Sequence, residues 1–394
     1  MPSFLYSLVY YNEHLARSKY MQFIDLKSQY LRIEDGVQKA VSEVIASQQY
    51  IMGPQVQELE QQLACYVGNT TVLSCSSGTD ALVILLMAYE LEPHDAIFVP
   101  SFTFFATAES VSLAGATPVF VDSDPTTFNI TSETLSLAYA KVVREGRLNP
   151  RGIIAVDLFG LPANYEQICA FAEQHDLFVV EDAAQSFGAQ YLGKRAGSFG
   201  NAAATSFFPA KPLGAYGDGG AIFTQDKTLL AACESIREHG KGVDRYDNVR
   251  IGLTGRLDTI QAAVLLEKLK IFDDELELRN QVAAAYTERL ADVIQTPTVP
   301  ENYSSAWAQY SLLAKNQEQR EAIIEALKNK GIPTAVYYRV PIHLQTAYKQ
   351  LGYQAGSLPV CEDLATKMVS LPMHPYLNTE DIAHITTEVR KVLT

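Results

Sequence analysis

Between residues 70 and 225 the chain alternates short apolar runs with stretches of helical periodicity. TVLSC (71–75), AIFVP (96–100), PVFVD (118–122), GIIAVD (152–157), LFVVED (177–182), ATSFF (204–208) and GAIFT (220–224) read as strands. Helical spacing occupies 80–90, 105–114 and 164–175 between them. Strands that alternate with helices predict a largely parallel sheet covered on both faces. Such a sheet binds ligands beyond the carboxyl ends of its strands.

From Arg256 the pattern changes. RLDTIQAAVLLEKLKIFDDELELRNQVAAAYTERL (256–290) keeps a helical period throughout and predicts two helices or one long bent helix. A strand, a helix at 317–330, a second short strand and a last helix at 378–392 follow, which describes a smaller α+β domain. The expected division is a disordered extension at 1–20, an N-terminal segment at 21–50, a large domain at 51–270 and a small domain at 271–394. Residues 1–20 are apolar in part. They lack the leading positive charge and small-residue cleavage site of a signal peptide, and MQFIDLKSQY at Met21 reads like a natural start.

Composition narrows the function. The 394 residues are 47% hydrophobic and 19% charged, a globular balance. Acidic residues outnumber basic ones by 45 to 31, for a net charge of −14. That argues against a nucleic-acid partner, and an anionic ligand needs a local positive site. No apolar run reaches the ~18 residues that span a bilayer. The five cysteines form no CxxC pair, which points to reduced thiols in a cytoplasmic protein and to no metal site. No GxGxxG follows a strand and no GxxxxGK[ST] occurs, so dinucleotide and P-loop chemistry lose their main support.

Three stretches stand at predicted strand ends. SCSSGTDAL (74–82) places Ser77, Gly78 and Thr79 before a helix, where free N–H groups cradle a phosphate; an ordinary N-cap uses the same residue types. VVEDAAQSFGA (179–189) ends a strand on Glu181 and Asp182, which either cap the next helix or meet a cation. SFFPAKPLGAYGDGG (206–220) sets Lys211 among apolar residues and glycines. Desolvation there lowers the pKa of the ammonium and makes a nucleophilic amine accessible; an exposed loop lysine is the alternative. Cradle, carboxylate and lysine together are the parts of a pyridoxal-phosphate site.

These residues resemble the DegT/DnrJ/EryC1/StrS family of sugar aminotransferases, which have the aspartate-aminotransferase-like α/β fold of pyridoxal-phosphate fold type I. The resemblance runs from about residue 21 to the C-terminus, through YIMGPQVQELE, SSGTDAL, PSFTFFATAESV, VDSDPTTFNI, EDAAQSFGA, SFFPAKPLGAYGDGG, IGLTGRLDTIQAAVL and SLPMHPYL. It implies pyridoxal 5'-phosphate as cofactor, held covalently by Lys211. Asp182 lies at its ring nitrogen, Gln185 near its phenolic oxygen, Phe104 on its ring, and Gly78, Thr79 and Ser206 at its phosphate.

The resemblance further implies a homodimer with composite sites, in which Thr254 reaches the partner's phosphate and Arg256 faces substrate. The family pattern GxNxR has asparagine where this chain has Thr254. Tyr338 and His343 are the other implied substrate contacts. VRIGLTGRLDTIQAAVLLEKL and IPTAVYY are most similar to enzymes that aminate UDP-2-acetamido-2-deoxy-3-oxo-glucuronate, with L-glutamate as donor, for surface polysaccharides. Those enzymes carry a histidine in the stretch where Tyr337 stands here. Another UDP- or dTDP-linked keto hexose, and a regulator that keeps the fold, are the competing expectations.

Overall fold

The computed structural model describes residues 21–68, 70–244 and 246–394. The expected extension at 1–20 lies outside the described residues.

Seven strands form the main sheet: β1 (Thr71–Cys75), β2 (Asp95–Pro100), β3 (Thr117–Val121), β4 (Asn149–Val156), β5 (Phe178–Asp182), β6 (Ala202–Ser206) and β7 (Gly220–Thr224). Their order is β1-β7-β6-β5-β4-β2-β3. Only β7 runs against its neighbours. Side chains alternate across a strand, and β2 shows the consequence. Ile97 and Val99 enter one core with Leu85, Val111 and Ile222, while Ala96 and Phe98 enter another with Leu135, Phe171 and Val179. Both faces are therefore covered, as continuous apolar strands require.

The helices are α1 (Leu26–Ser47), α2 (Pro54–Val67), α3 (Gly78–Ala88), α4 (Ala106–Leu113), α5 (Ser132–Glu145), α6 (Tyr165–Gln174), α7 (Lys227–Arg237) and α8 (Thr259–Leu290). The first of the two cores packs α3, α4 and α7 on the sheet, and the second packs α5 and α6.

One expectation needs correction. The strand read at 204–208 is β6, displaced to Ala202–Ser206. Three consecutive alanines hide its start, because alanine is depleted in strands. Its end is set by pairing: Ser206 lies opposite Gly220, the first residue of β7, and the chain turns away after Phe207. Of the two readings left open for 256–290, the single helix is the one found: 259–290 is one helix. It contains neither glycine nor proline, so nothing in it breaks the ladder.

Helix α8 joins the two parts of the molecule. Its first half packs Leu265, Leu266 and Phe272 with Val56, Leu59 and Leu63 of α2. Its second half packs Val282, Tyr286 and Leu290 into the C-terminal core. That core is built on β8 (Tyr310–Leu313) and β9 (Met368–Leu371), an antiparallel pair, with α9 (Gln317–Asn329) and α11 (Thr379–Leu393), while α10 (Pro359–Lys367) packs with Phe102 and Phe159 instead. The division expected at residue 270 thus falls inside a continuous helix. No helix among the described residues is long and apolar enough to cross a membrane.

Candidate active site

Register places the candidate residues along one edge of the sheet. Asp182 lies opposite Val156 on one side and Ala204 on the other. Ser206 lies opposite Gly220, and Gly220 opposite Cys75. The ends of β1, β6 and β5 and the start of β7 therefore meet at the carboxyl edge.

At that edge β1 turns directly into α3. Ser77 caps the helix, its Oγ accepting from Asp80 N–H at 3.0 Å. A Cβ on Gly78 would stand 2.6 Å from Ser206 Cβ, and one on Gly220 would strike the Ser77 carbonyl. Two glycines thus let three chain segments close up. They set the first N–H groups of α3, which lack intrahelical acceptors, beside the Ser206 side chain. The positive end of the helix makes this an anion site.

After β6 the chain loops out and back. Phe207 N–H donates to Gly219 O and Ala215 N–H to Phe207 O, both at 2.7 Å, and Lys211 sits in the loop so closed. Phe207 is fully buried beneath it and Phe208 is exposed. Lys211 is half-buried, and among the described residues its ammonium makes no hydrogen bond or ion pair. Burial lowers its pKa, partly opposed by the charge of Asp182.

Asp182 is 6% exposed. Burial raises its pKa, against the Ala184 N–H at 3.2 Å, the charge of Lys211 and the Thr107 hydroxyl at 3.0 Å. Gln185 is held at both ends: Oε1 accepts from Phe159 N–H at 2.8 Å, and Nε2 donates to the Tyr338 hydroxyl at 3.3 Å. The Tyr338 ring lies 6.4 Å from that of Phe104, which is 56% exposed at the mouth. The structure thus gathers Gly78, Thr79, Phe104, Asp182, Gln185, Ser206, Lys211 and Tyr338 at one edge.

Thr107 was missed in the sequence. No local signal marked it, because its partner Asp182 lies 75 positions further along the chain.

The remaining candidates sit differently. Thr254 is exposed and its Oγ lies 2.7 Å from His239 Nε2. The next residue, Gly255, accepts from Ser76 N–H at 3.0 Å, so this segment lies beside the cradle of its own chain. Arg256 is half-buried, and its Nε has no hydrogen-bond partner among the described residues. His343 is 1% exposed, with Nδ1 2.6 Å from Ser101 Oγ and Nε2 3.1 Å from Glu362 Oε1. Both ring nitrogens are occupied, so His343 braces β2 against α10 and offers no free nitrogen to a substrate.

Residues 32–390 match the DegT/DnrJ/EryC1/StrS aminotransferase family. The chain belongs to this family. As a member it is similar to the UDP-2-acetamido-2-deoxy-3-oxo-D-glucuronate aminotransferase of Pseudomonas aeruginosa, at 46% identity over 92% of this chain and 97% of that one. It is 40% identical to a pleiotropic regulatory protein of Geobacillus stearothermophilus, over 93% of this chain and 96% of that one. The crystal structure of a DegT DnrJ EryC1 StrS aminotransferase from Brucella abortus superposes with a TM-score of 0.92 at 51% identity, covering 95% of this chain and 99% of that one.

The cofactor of this aminotransferase family is pyridoxal 5'-phosphate, and the residues fit it. The cradle that no Cβ could enter suits a phosphate. The buried Asp182 carboxylate suits a cationic ring nitrogen. The half-buried ammonium of Lys211, without a hydrogen-bond partner among the described residues, suits covalent attachment.

Proposed function

We propose that this aminotransferase moves an amino group from L-glutamate to the keto carbon of UDP-2-acetamido-2-deoxy-3-oxo-glucuronate, in the cytoplasm, toward surface polysaccharide. The observation that supports this most is Lys211 facing Asp182 beside the glycine-lined cradle, in a chain similar over nearly its whole length to the Pseudomonas enzyme.

When bound, pyridoxal 5'-phosphate supplies an electron sink for the carbon that gains or loses the amine. The chain's own residues do the rest. The α3 N-terminus and Ser206 would bind its phosphate, and Phe104 would lie against its ring. Asp182 would favour a protonated ring nitrogen through its charge; an opposite charge within ~4–6 Å typically shifts a pKa by about 1–3 units. Gln185, fixed by Phe159 and Tyr338, would hydrogen-bond to its phenolic oxygen. Lys211 would hold the cofactor covalently, and its Nζ, as a free amine, would accept the proton that the donor's α-carbon gives up. Its lowered pKa supports that work, because the neutral amine is the base.

The substrate carries a diphosphate and a carboxylate into a protein of net charge −14. Arg256, with its unpaired Nε, is the cation proposed to meet it, together with Arg250 and Arg339. We place this arrangement in a homodimer. Val243, Val249 and Ile251, on the strip that leads into Thr254, are exposed large apolar residues that a second copy would cover.

A regulator without chemistry has no need for both Lys211 and Asp182. The test is amination of a panel of UDP- and dTDP-linked 3-keto and 4-keto sugars with glutamate. The 3-oxo-glucuronate should turn over fastest. Preference for an uncharged 3-keto or a 4-keto hexose overturns the substrate, and no turnover with any of them supports the regulator.

A further inference from the structure

Asp182 has a neighbour that the reaction does not use. Successive strand residues face opposite sides of the sheet, so Glu181 points away from the side that Asp182 occupies. Glu181 is fully buried, and its two oxygens accept from Gly197 N–H at 2.7 Å and Phe199 N–H at 2.8 Å. Asp157, just beyond the end of β4, is fully buried as well. Its Oδ1 accepts from the Tyr165 hydroxyl at 2.7 Å and Ala163 N–H at 2.9 Å, and its Oδ2 from the Ser186 hydroxyl at 2.6 Å. Glu181 lies opposite Ala155, two residues before Asp157, so the two carboxyl groups face the same side of the sheet as diagonal neighbours, and the charge of Asp157 acts on Glu181.

All five donors are neutral. Tyr165, Cys169 and Tyr303 are titratable neighbours that feel the charge of the pair, and among the described residues no cation hydrogen-bonds or ion-pairs with either carboxyl. Two carboxylates can only accept, so such neighbours can hydrogen-bond to each other only through a proton. Two adjacent like charges out of water cannot both persist. The donor count agrees. As the anion, Asp157 accepts three hydrogen bonds and a fourth from Glu181, which fills one carboxylate. As the acid, Glu181 gives one and accepts two. Burial raises the pKa of both groups, and the charge of Asp157 raises that of Glu181 further.

The pair is tied to the side chains expected at the cofactor. Asp157 N–H donates to Asp182 O at 3.2 Å. Ser186, held by Asp157, follows Gln185 directly. The turn that leaves Asp157 brings Phe159 N–H onto Gln185 Oε1. We propose that Asp157 and Glu181 hold one shared proton, and that this acid pair is the positioning element for Asp182 and Gln185. The positioning half rests on the cofactor reading given above; the shared proton does not.

Infrared difference spectra of the full-length holoprotein test the proton. Parent minus Glu181→Gln at pH 7.5 should show the C=O band of a protonated carboxylic acid, shifted in D2O. No such band overturns the shared proton, whatever the cofactor does. Titration of the apoproteins with pyridoxal 5'-phosphate tests positioning. Glu181→Gln keeps a donor toward Asp157 and should bind within about threefold of the parent. Asp157→Asn keeps one acceptor oxygen but puts an NH2 group where Asp157 accepts from Ser186, and should bind at least about tenfold more weakly. Should Asp157→Asn fail to fold, Ser186→Ala, which removes one donor from Asp157, should weaken binding about threefold or more. Parent-like binding in the folded Asp157→Asn or Ser186→Ala protein overturns the positioning role. If Lys211→Ala also leaves cofactor affinity and spectrum unchanged, the fault lies in the cofactor reading instead.

Discussion

The hydroxyl of Thr107 donates to Asp182 Oδ2 at 3.0 Å, so the first turn of α4 holds the carboxylate that ends β5. Thr107→Val keeps the shape and removes the donor. A hydrogen bond to a charged group contributes about 1.5–3 kcal/mol, so cofactor affinity should fall roughly tenfold to a hundredfold. Absorbance titration of the apoprotein measures it. Equal affinity in parent and variant would show that the carboxylate is held without Thr107.

Much of this arrangement was legible in the sequence, for a physical reason. Strand ends, glycines and a lone lysine are local signals, and SSGTDAL, VVED and SFFPAK each carry one. The partners that fix those side chains come from far along the chain and leave no local mark. Tyr338 reaches Gln185 across 153 positions, and Ser101 reaches His343 across 242. The resemblance alone suggested His343 for substrate contact, because burial and ring occupancy are tertiary facts. The start of β6 was missed because alanines carry little strand signal.

Lys268 lies in α8, almost wholly buried, with no hydrogen-bond partner for Nζ among the described residues and with Nζ 4.3 Å from the centroid of the Tyr216 ring. Burial pushes its pKa down to about 8, against the charge of Glu275. Between about pH 8 and 10.4 the unfolded chain binds a proton that the folded chain does not, so stability rises with pH through that window. At pH 7 the charged form is retained at a cost. Lys268→Met should therefore be about 1 kcal/mol more stable at pH 7, after loss of the cation–π contact, and should lose the gain between pH 7 and 9. Urea denaturation at both pH values decides it; a less stable variant contradicts the cost assigned to the ammonium.

His374 is 4% exposed, and burial pushes its pKa down to about 4. From about pH 6.5 down to 4 the unfolded chain takes up a proton that the folded chain refuses. Stability is then full above pH 6.5 and is lost as the pH falls, by about 2–3 kcal/mol at pH 4.5. His374→Asn should show a drop smaller by about that amount between pH 6.5 and 4.5 in denaturant titrations. Parallel drops in parent and variant would assign the acid sensitivity elsewhere.

A composite site makes a prediction that single variants cannot. Lys211→Ala and Arg256→Ala homodimers should each be inactive. A mixture allowed to exchange subunits should recover about a quarter of the parent rate, since half the dimers are mixed and one site in each is whole. No recovery despite proven exchange would place both residues in a site made by one chain.

The central claim is that Lys211 holds the cofactor and performs the proton transfer. Borohydride reduction of the holoprotein, followed by digestion and peptide mass spectrometry, tests it most directly. The account predicts a phosphopyridoxyl adduct on the peptide that contains Lys211, and none in the Lys211→Ala protein. An adduct confined to another lysine, or a coloured and active protein that yields no adduct, would contradict it.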